Sequence, residues 1–155
     1  MRCCTFAGHR EVLERGIEDR VVDAICSIIE AETNFCFYTG GMGEFDQMCA
    51  SVVRRMKREY TNKEIRLVLV VPYMKQSINT YGSILLAQYD EIVVPDELAD
   101  CHYKKAITLR NRWMAEQSQH MIAYVAKRYG GAYTSMKYAE KIGLTVRNLY
   151  HGLLK

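Results

Sequence analysis

The sequence predicts an α/β fold, a doubly wound and mostly parallel sheet of about six strands with helices on both faces. Three observations carry this reading. Short apolar runs alternate with longer stretches whose apolar residues recur at helical spacing. The short runs are nearly continuous in apolar residues, as strands covered on both faces must be. Both prolines, Pro72 and Pro95, close such a run, where a residue without an N–H ends a ladder.

Each element follows from its own pattern. Residues 2–7 read as the first strand. Over 11–32 the residues Val12, Leu13, Ile17, Val21, Val22, Ile25, Ile28 and Ile29 recur at helical spacing. A second strand at 35–38 runs into Gly40, Gly41 and Gly43, followed by a helix over 44–60. Residues 65–71 form the clearest strand, stopped by Pro72. A helix is expected over 76–88, with Gly82 its weak point. A short strand at 91–94 ends at Pro95, and 96–102 reads as a loop. A helix over 103–118 and a strand over 120–125 come next. Gly130 and Gly131 open a turn, 133–142 is helical, Gly143 ends that helix, and 144–149 is the last strand. Strands alternating with helices imply right-handed crossovers and a parallel sheet. Such a Rossmann-like domain binds ligands beyond the carboxyl ends of its strands, near the point where strand order reverses.

Size and composition agree with one domain spanning 1–155. The chain has 155 residues, 49% hydrophobic and 25% charged, which excludes disordered and fibrous classes. A net charge of +3 does not argue for a nucleic-acid partner, whereas a small anionic ligand needs only a few local charges. No apolar run approaches the ~18 residues of a membrane span. The first ten residues show no export signal, so a cytoplasmic protein is expected. Its six cysteines are then expected as free thiols. They form no C-x-x-C and no zinc spacing, so no metal site is expected. Cys3 and Cys4 read either as small residues of a buried strand or as a vicinal redox or metal pair.

The residues after each strand supply the candidate site. Gly8 permits a tight turn, His9 titrates near neutrality, and Arg10 offers a fork of donors suited to phosphate. The plain alternative is a turn with two solvated polar residues. Gly40, Gly41 and Gly43 let backbone N–H groups face an anion at a helix N-terminus. Asp46 then takes a ribose hydroxyl or caps that helix. Arg110, Asn111 and Arg112 stand together, but two residues of a helix spaced by two do not share a face. At most one arginine therefore reaches a given site with ease; the alternative is a solvated basic face with Trp113 and Met114 packed inward. Gly130 and Gly131 form a second glycine-rich turn ahead of a helix, with Thr134 as a hydroxyl donor. Tyr73, Tyr81 and Tyr89 recur at eight-residue spacing, which fits helix-to-sheet packing better than a base-stacking surface. His102, His120 and His151 are isolated in sequence and carry no site reading.

The order of these motifs carries a family resemblance. The runs Cys4-Thr5-Phe6-Ala7-Gly8-His9-Arg10, Tyr38-Thr39-Gly40-Gly41-Met42-Gly43-Glu44-Phe45-Asp46, Arg110-Asn111-Arg112-Trp113-Met114, and Gly130-Gly131 followed by Tyr138-Ala139 resemble the SLOG superfamily. More narrowly, they resemble its small, YpsA-like bacterial branch. The resemblance covers nearly the whole chain. It implies a Rossmann-like fold, a nucleotide or nucleotide-derived ligand of ADP-ribose or NAD type, and a homodimer. Carried over residue by residue, it implies a first ligand loop of Gly8, His9 and Arg10 and a second of Gly40, Gly41, Gly43 and Asp46. It also implies a pocket-facing helix with Arg110, Asn111 and Arg112, and a phosphate loop with Gly130, Gly131 and Thr134.

The departures from that family shape the functional expectation. LOG phosphoribohydrolases carry a P-G-G-x-G-T-x-x-E loop, where this chain has Tyr129-Gly130-Gly131-Ala132-Tyr133-Thr134-Ser135-Met136-Lys137. The proline, the third glycine and the glutamate are absent. Cleaving a base from ribose needs a carboxylate or an equivalent group, which Arg112 does not supply. A binding module, a sensor or regulator holding a nucleotide derivative, is therefore the leading expectation. An N-glycosidase using Asp46 or Glu44 is the second. Single-stranded DNA binding, as in DNA-processing protein A, is the third, and the low net charge counts against it.

Overall fold

The structure is a computed structural model and describes residues 1–73, 82 and 86–155. Its six strands are β1 (Arg2–Gly8), β2 (Asn34–Thr39), β3 (Glu64–Val70), β4 (Glu91–Val93), β5 (His120–Tyr124) and β6 (Thr145–Asn148). They form one sheet in the order β4-β3-β2-β1-β5-β6, and every pairing is parallel. The helices are α1 (Ile17–Ala31), α2 (Glu44–Glu59), α3 (Tyr103–Glu116) and α4 (Gly131–Lys141), with a 3₁₀ turn at Asp96–Leu98. The expected helix over 76–88 falls largely outside the described residues, as does Tyr81; residues 86–88 are helical.

Strand periodicity sorts the core into two layers. Cys4 and Phe6 of β1, Phe35 and Phe37 of β2, Leu67 of β3 and Ile122 of β5 face α1 and α2. They meet Ile17, Val21, Ile25, Phe45 and Val53 of those helices. Ala7, Met121 and Ala123 face the other way, onto Ala115 of α3 and Met136 and Ala139 of α4. Cys3, Cys36, Val68 and Val70 share that second face, against Met114 of α3. Helices therefore cover both faces, and the domain is doubly wound.

Two boundaries differ from the sequence reading for identifiable reasons. The first helix begins at Ile17, not residue 11, because Gly16 adopts a left-handed φ of 83° that breaks the run. Residues 9–16 instead cross the carboxyl edge of the sheet as a loop. Its carbonyl at Arg10 accepts from the Glu44 N–H (2.8 Å), and the Val12 N–H donates to Glu44 Oε2 (2.8 Å). Leu13, helical by spacing, is 85% exposed there. The last helix begins at Gly131, two residues before the expected start. His102 is the N-cap of α3, its Nδ1 accepting from the Lys104 N–H (3.3 Å). Tyr89 is buried in the core beneath Arg54, whose guanidinium lies 4.9 Å from the ring centroid.

The sheet order fixes where function belongs. From β1 the chain winds one way to β2, β3 and β4, then crosses to the other side of β1 at β5. The reversal leaves a crevice beyond the carboxyl ends of β1 and β5.

Candidate ligand site at the carboxyl edge

A cavity of about 270 Å³ opens in that region. Its floor is the end of β1, from Phe6 to Arg10. One wall is α3, through Ile107, Arg110, Asn111 and Met114. The opposite side is the first turn of α4, through Gly131, Ala132 and Ser135; the β2–α2 connection adds Met42, and the first turn of α2 adds Asp46. Of the residues singled out in the sequence, Gly8, His9, Arg10, Asp46, Arg110, Asn111 and Gly131 thus come together around one space.

The α4 end of the cavity is suited to an anion. Gly130 is the N-cap, with φ 92°, and no side chain caps the helix. The first turn contains no acidic residue. Its exposed N–H groups and the positive end of the helix dipole favour a negative group. Arg10, exposed and lining the cavity, adds a positive charge. The α2 end differs, although it too is glycine-rich. There Glu44 N–H is taken by the Arg10 carbonyl, and the first turn carries Glu44 and Asp46.

Arg110 is 3% exposed and braces the site. Its Nη1 donates to the Val70 carbonyl (3.0 Å) and the Gly40 carbonyl (3.4 Å), and its Nε donates to Asn111 Oδ1 (2.9 Å). Burial lowers its pKa, and the charge of Asp46 opposes that shift. A guanidinium stays protonated under such conditions. Gly40 is glycine because a Cβ there would stand 2.8 Å from this guanidinium.

Asp46 lies across from it, half-buried. Its Oδ2 accepts from the Met42 N–H (3.2 Å). Burial pushes its carboxyl up to about 6, against the pull of the Met42 N–H and Arg110. A carboxylate has capacity for further donors, such as a pair of ribose hydroxyls. His9 is held in place by the Ala126 N–H, which donates to Nε2 (2.9 Å), and by an edge contact with Tyr124. The imidazole is therefore neutral with its proton on Nδ1. Burial, and then the nearby Lys127 charge, lower its pKa.

Five of the sequence candidates stand elsewhere. Gly40, Gly41 and Gly43 lie behind the cavity wall, in the packing of the β2–α2 connection. A Cβ on Gly43 would meet the Arg10 Cα at 2.8 Å. Arg112 projects away from the cavity, with its guanidinium 5.2 Å from the Tyr138 ring centroid. Two helix residues spaced by two differ by about 200° around the axis, so Arg110 and Arg112 oppose each other. Thr134 donates its hydroxyl back to the Gly130 carbonyl (3.0 Å). Gly130 borders the site as the cap preceding Gly131.

Ile107, Met114, Ala132, Ser135 and Met42 line the cavity without having been singled out. For α3 the signal was present: 107, 110, 111 and 114 follow the spacing of a single helix face. Ser135 sits one turn after Gly131 in the same way. Met42 carries no such signal, because its placement depends on loop conformation.

On the other side of His9 and Arg10 lies an open groove of about 710 Å³ that includes Tyr124, Lys127 and Tyr150. Among the described residues, no group of three or more His, Cys, Asp or Glu is placed to hold a metal. No described helix is long and apolar enough to cross a membrane.

No family model and no curated protein sequence matches the chain. Solved structures do match in fold. DNA processing protein A from Streptococcus pneumoniae superposes with TM-score 0.62 at 13% identity, covering 94% of this chain and 49% of that one. The structural-genomics target TM1055 gives TM-score 0.60 at 11% identity, covering 94% and 72%. DNA processing protein A from Helicobacter pylori, whose structural study concerns its single-stranded DNA binding mode, gives 0.59 at 15%, covering 90% and 61%. This chain thus spans about half the length of the first of these proteins. Sheet order, covered faces and these superpositions together give the chain a Rossmann-like α/β fold shared with DNA processing protein A and TM1055.

Proposed function

We propose that this domain binds a nucleotide or nucleotide-derived ligand at the carboxyl edge of its sheet and acts as a sensor or regulatory module. The observation that carries the reading is the convergence of the uncapped, acid-free N-terminus of α4 with Arg10 and Arg110 on one cavity. The phosphate group sits on the Gly131 and Ala132 N–H groups with Arg10 closing over it. Asp46 accepts from ribose hydroxyls, and His9 Nδ1 and Asn111 supply further polar contacts. The likeness to the small YpsA-like branch and its homodimers belongs to the same reading; light scattering on the purified chain measures the oligomer. Isothermal titration with AMP, ADP-ribose and NAD tests the ligand. Arg10→Ala is expected to weaken phosphate-ligand binding by about 1.5–3 kcal/mol, as loss of a charged hydrogen bond should. An unchanged dissociation constant removes Arg10 from the site.

A second reading, N-glycosidase activity, is favoured by one observation. Asp46 is the acidic residue lining this cavity among the described residues, and its carboxyl titrates near 6. Glu44 is bonded to the Val12 N–H, and Glu140 pairs with Lys137 on the exposed side of α4. Cleavage would therefore have to use Asp46, as a general acid or base or as a stabiliser of the oxocarbenium-like transition state. Release of free base from a nucleoside monophosphate, abolished by Asp46→Asn while binding persists, identifies the enzyme. A panel in which only single-stranded DNA binds, with steep salt dependence, identifies the DNA-binding alternative instead.

A further inference from the structure

The vicinal pair Cys3–Cys4 does not act as a unit, because successive strand residues face opposite layers. Cys4 is fully buried against α1 and α2, and burial raises its pKa strongly. Cys3 faces the α3 layer, and there it has a different partner. It stands directly opposite Cys36 in the parallel register of β1 and β2, and both belong to one buried cluster. Tyr38, two residues along β2 from Cys36, belongs to the same cluster and packs its ring edge-on against Trp113, 5.5 Å between centroids. The two thiols therefore share one cluster beside Tyr38, away from the ligand cavity and near the start of β1. Cys3 keeps 8% of its surface exposed, whereas Cys4 keeps none.

From this arrangement we infer that Cys3 and Cys36 are a reversible dithiol–disulfide pair, oxidised by a hydroperoxide. The register places the two residues side by side on neighbouring strands. Neighbouring strands run about 4.8 Å apart, inside the Cα separation that disulfides span. The chemistry assigns the roles. Proximity of the two thiols favours ionisation of Cys3, whose pKa is lowered, over Cys36, whose pKa is raised. Cys3 is therefore the thiolate nucleophile. Its Sγ attacks the distal oxygen of the hydroperoxide, the O–O bond breaks, and the alkoxide leaves as the alcohol after taking a proton. Cys36 Sγ then attacks the sulfenic Cys3 Sγ. The S–O bond breaks, and hydroxide leaves as water with the Cys36 proton. Two thiols lose two electrons, and the hydroperoxide is reduced to alcohol and water. Placed directly across a ladder rung, the disulfide is reopened by an added dithiol.

The test is a mass map of the intact protein after treatment with a stoichiometric hydroperoxide, followed by tryptic digestion without reduction. The expected result is a loss of two hydrogens and a joined pair of peptides, 3–10 with 21–54, whose fragmentation places the link at Cys3 and Cys36. Dithiothreitol restores the original mass. In Cys36→Ser, a 1,3-dione is expected to trap a sulfenic acid on Cys3, with little trapping in the wild type. If that variant does not fold, the wild-type map alone decides. A protein that stays fully reduced, a link through other cysteines, or dione labelling of Cys26 or Cys101 with Cys3 untouched overturns the inference.

Discussion

Gly8 ends the first strand where there is no room for a side chain. A Cβ there would collide with the ring of Phe45, which is itself fully buried. Gly8→Ala is expected to cost about 1–3 kcal/mol or more through overpacking, read as a lower urea midpoint. A variant as stable as the wild type would show that β1 and α2 do not pack this closely. Asp46 makes a prediction with a sign. Its carboxyl is raised from 3.8 to about 6 in the folded protein, so the folded state holds this proton more tightly than the unfolded chain. The cost is fully present above about pH 6 and fades as pH falls toward 4. Asp46→Asn keeps an acceptor for the Met42 N–H and removes the desolvated charge. It is expected to stabilise the ligand-free protein by about 1–3 kcal/mol at pH 8, with the gain vanishing near pH 4. Equal stability of the two proteins at pH 8 contradicts that account. At this scale the sequence was informative about residue type and less so about duty. Gly8 and Gly40 are glycines because Phe45 and Arg110 occupy the space, and such long-range neighbours leave no local trace.

At the scale of elements, α3 shows how one helix serves two surfaces. Its 107, 110, 111 and 114 positions face the cavity, while Arg112 leans on Tyr138 of α4. Arg110 ties this helix to the carboxyl ends of β2 and β3 through the Gly40 and Val70 carbonyls. Arg110→Met leaves those buried carbonyls unpaired and is expected to destabilise the domain by about 2–4 kcal/mol in chemical unfolding. Arg112→Ala is expected to change stability by no more than about 0.5 kcal/mol and to leave nucleotide affinity unchanged. Equal effects of the two substitutions would contradict the assignment of faces. The helix period alone separates the two arginines, which is why a sequence reading could anticipate that only one reaches the site. The β1–α1 connection was less legible. Val12 and Leu13 continue the helical spacing of α1, and only the conformation of Gly16 and the bonds from Glu44 hold them in a loop.

At the scale of the molecule, the alternation of apolar strands and amphipathic helices was enough to specify a parallel, doubly wound sheet. The strand order was not, because pairing across β1 depends on how the crossover after β4 is routed. That routing places β5 beside β1 and brings the α4 turn to the end of β1, assembling the cavity from segments more than a hundred residues apart. The two glycine-rich turns were legible as candidate anion cradles; their difference arises from tertiary contacts, since only the α4 turn is left free of acidic side chains and of the Arg10 carbonyl. The measurement that tests the central claim most directly is a thermal-shift and titration panel of AMP, ADP-ribose, NAD and a single-stranded oligonucleotide on the wild type and Arg10→Ala. Binding at a hundredfold excess over Kd raises stability by about 2.7 kcal/mol, which moves the melting point by several degrees. The predicted result is a selective shift with one phosphate-bearing nucleotide that Arg10→Ala reduces. A flat response to every nucleotide, or a shift that Arg10→Ala leaves intact, contradicts a nucleotide site at this edge of the sheet.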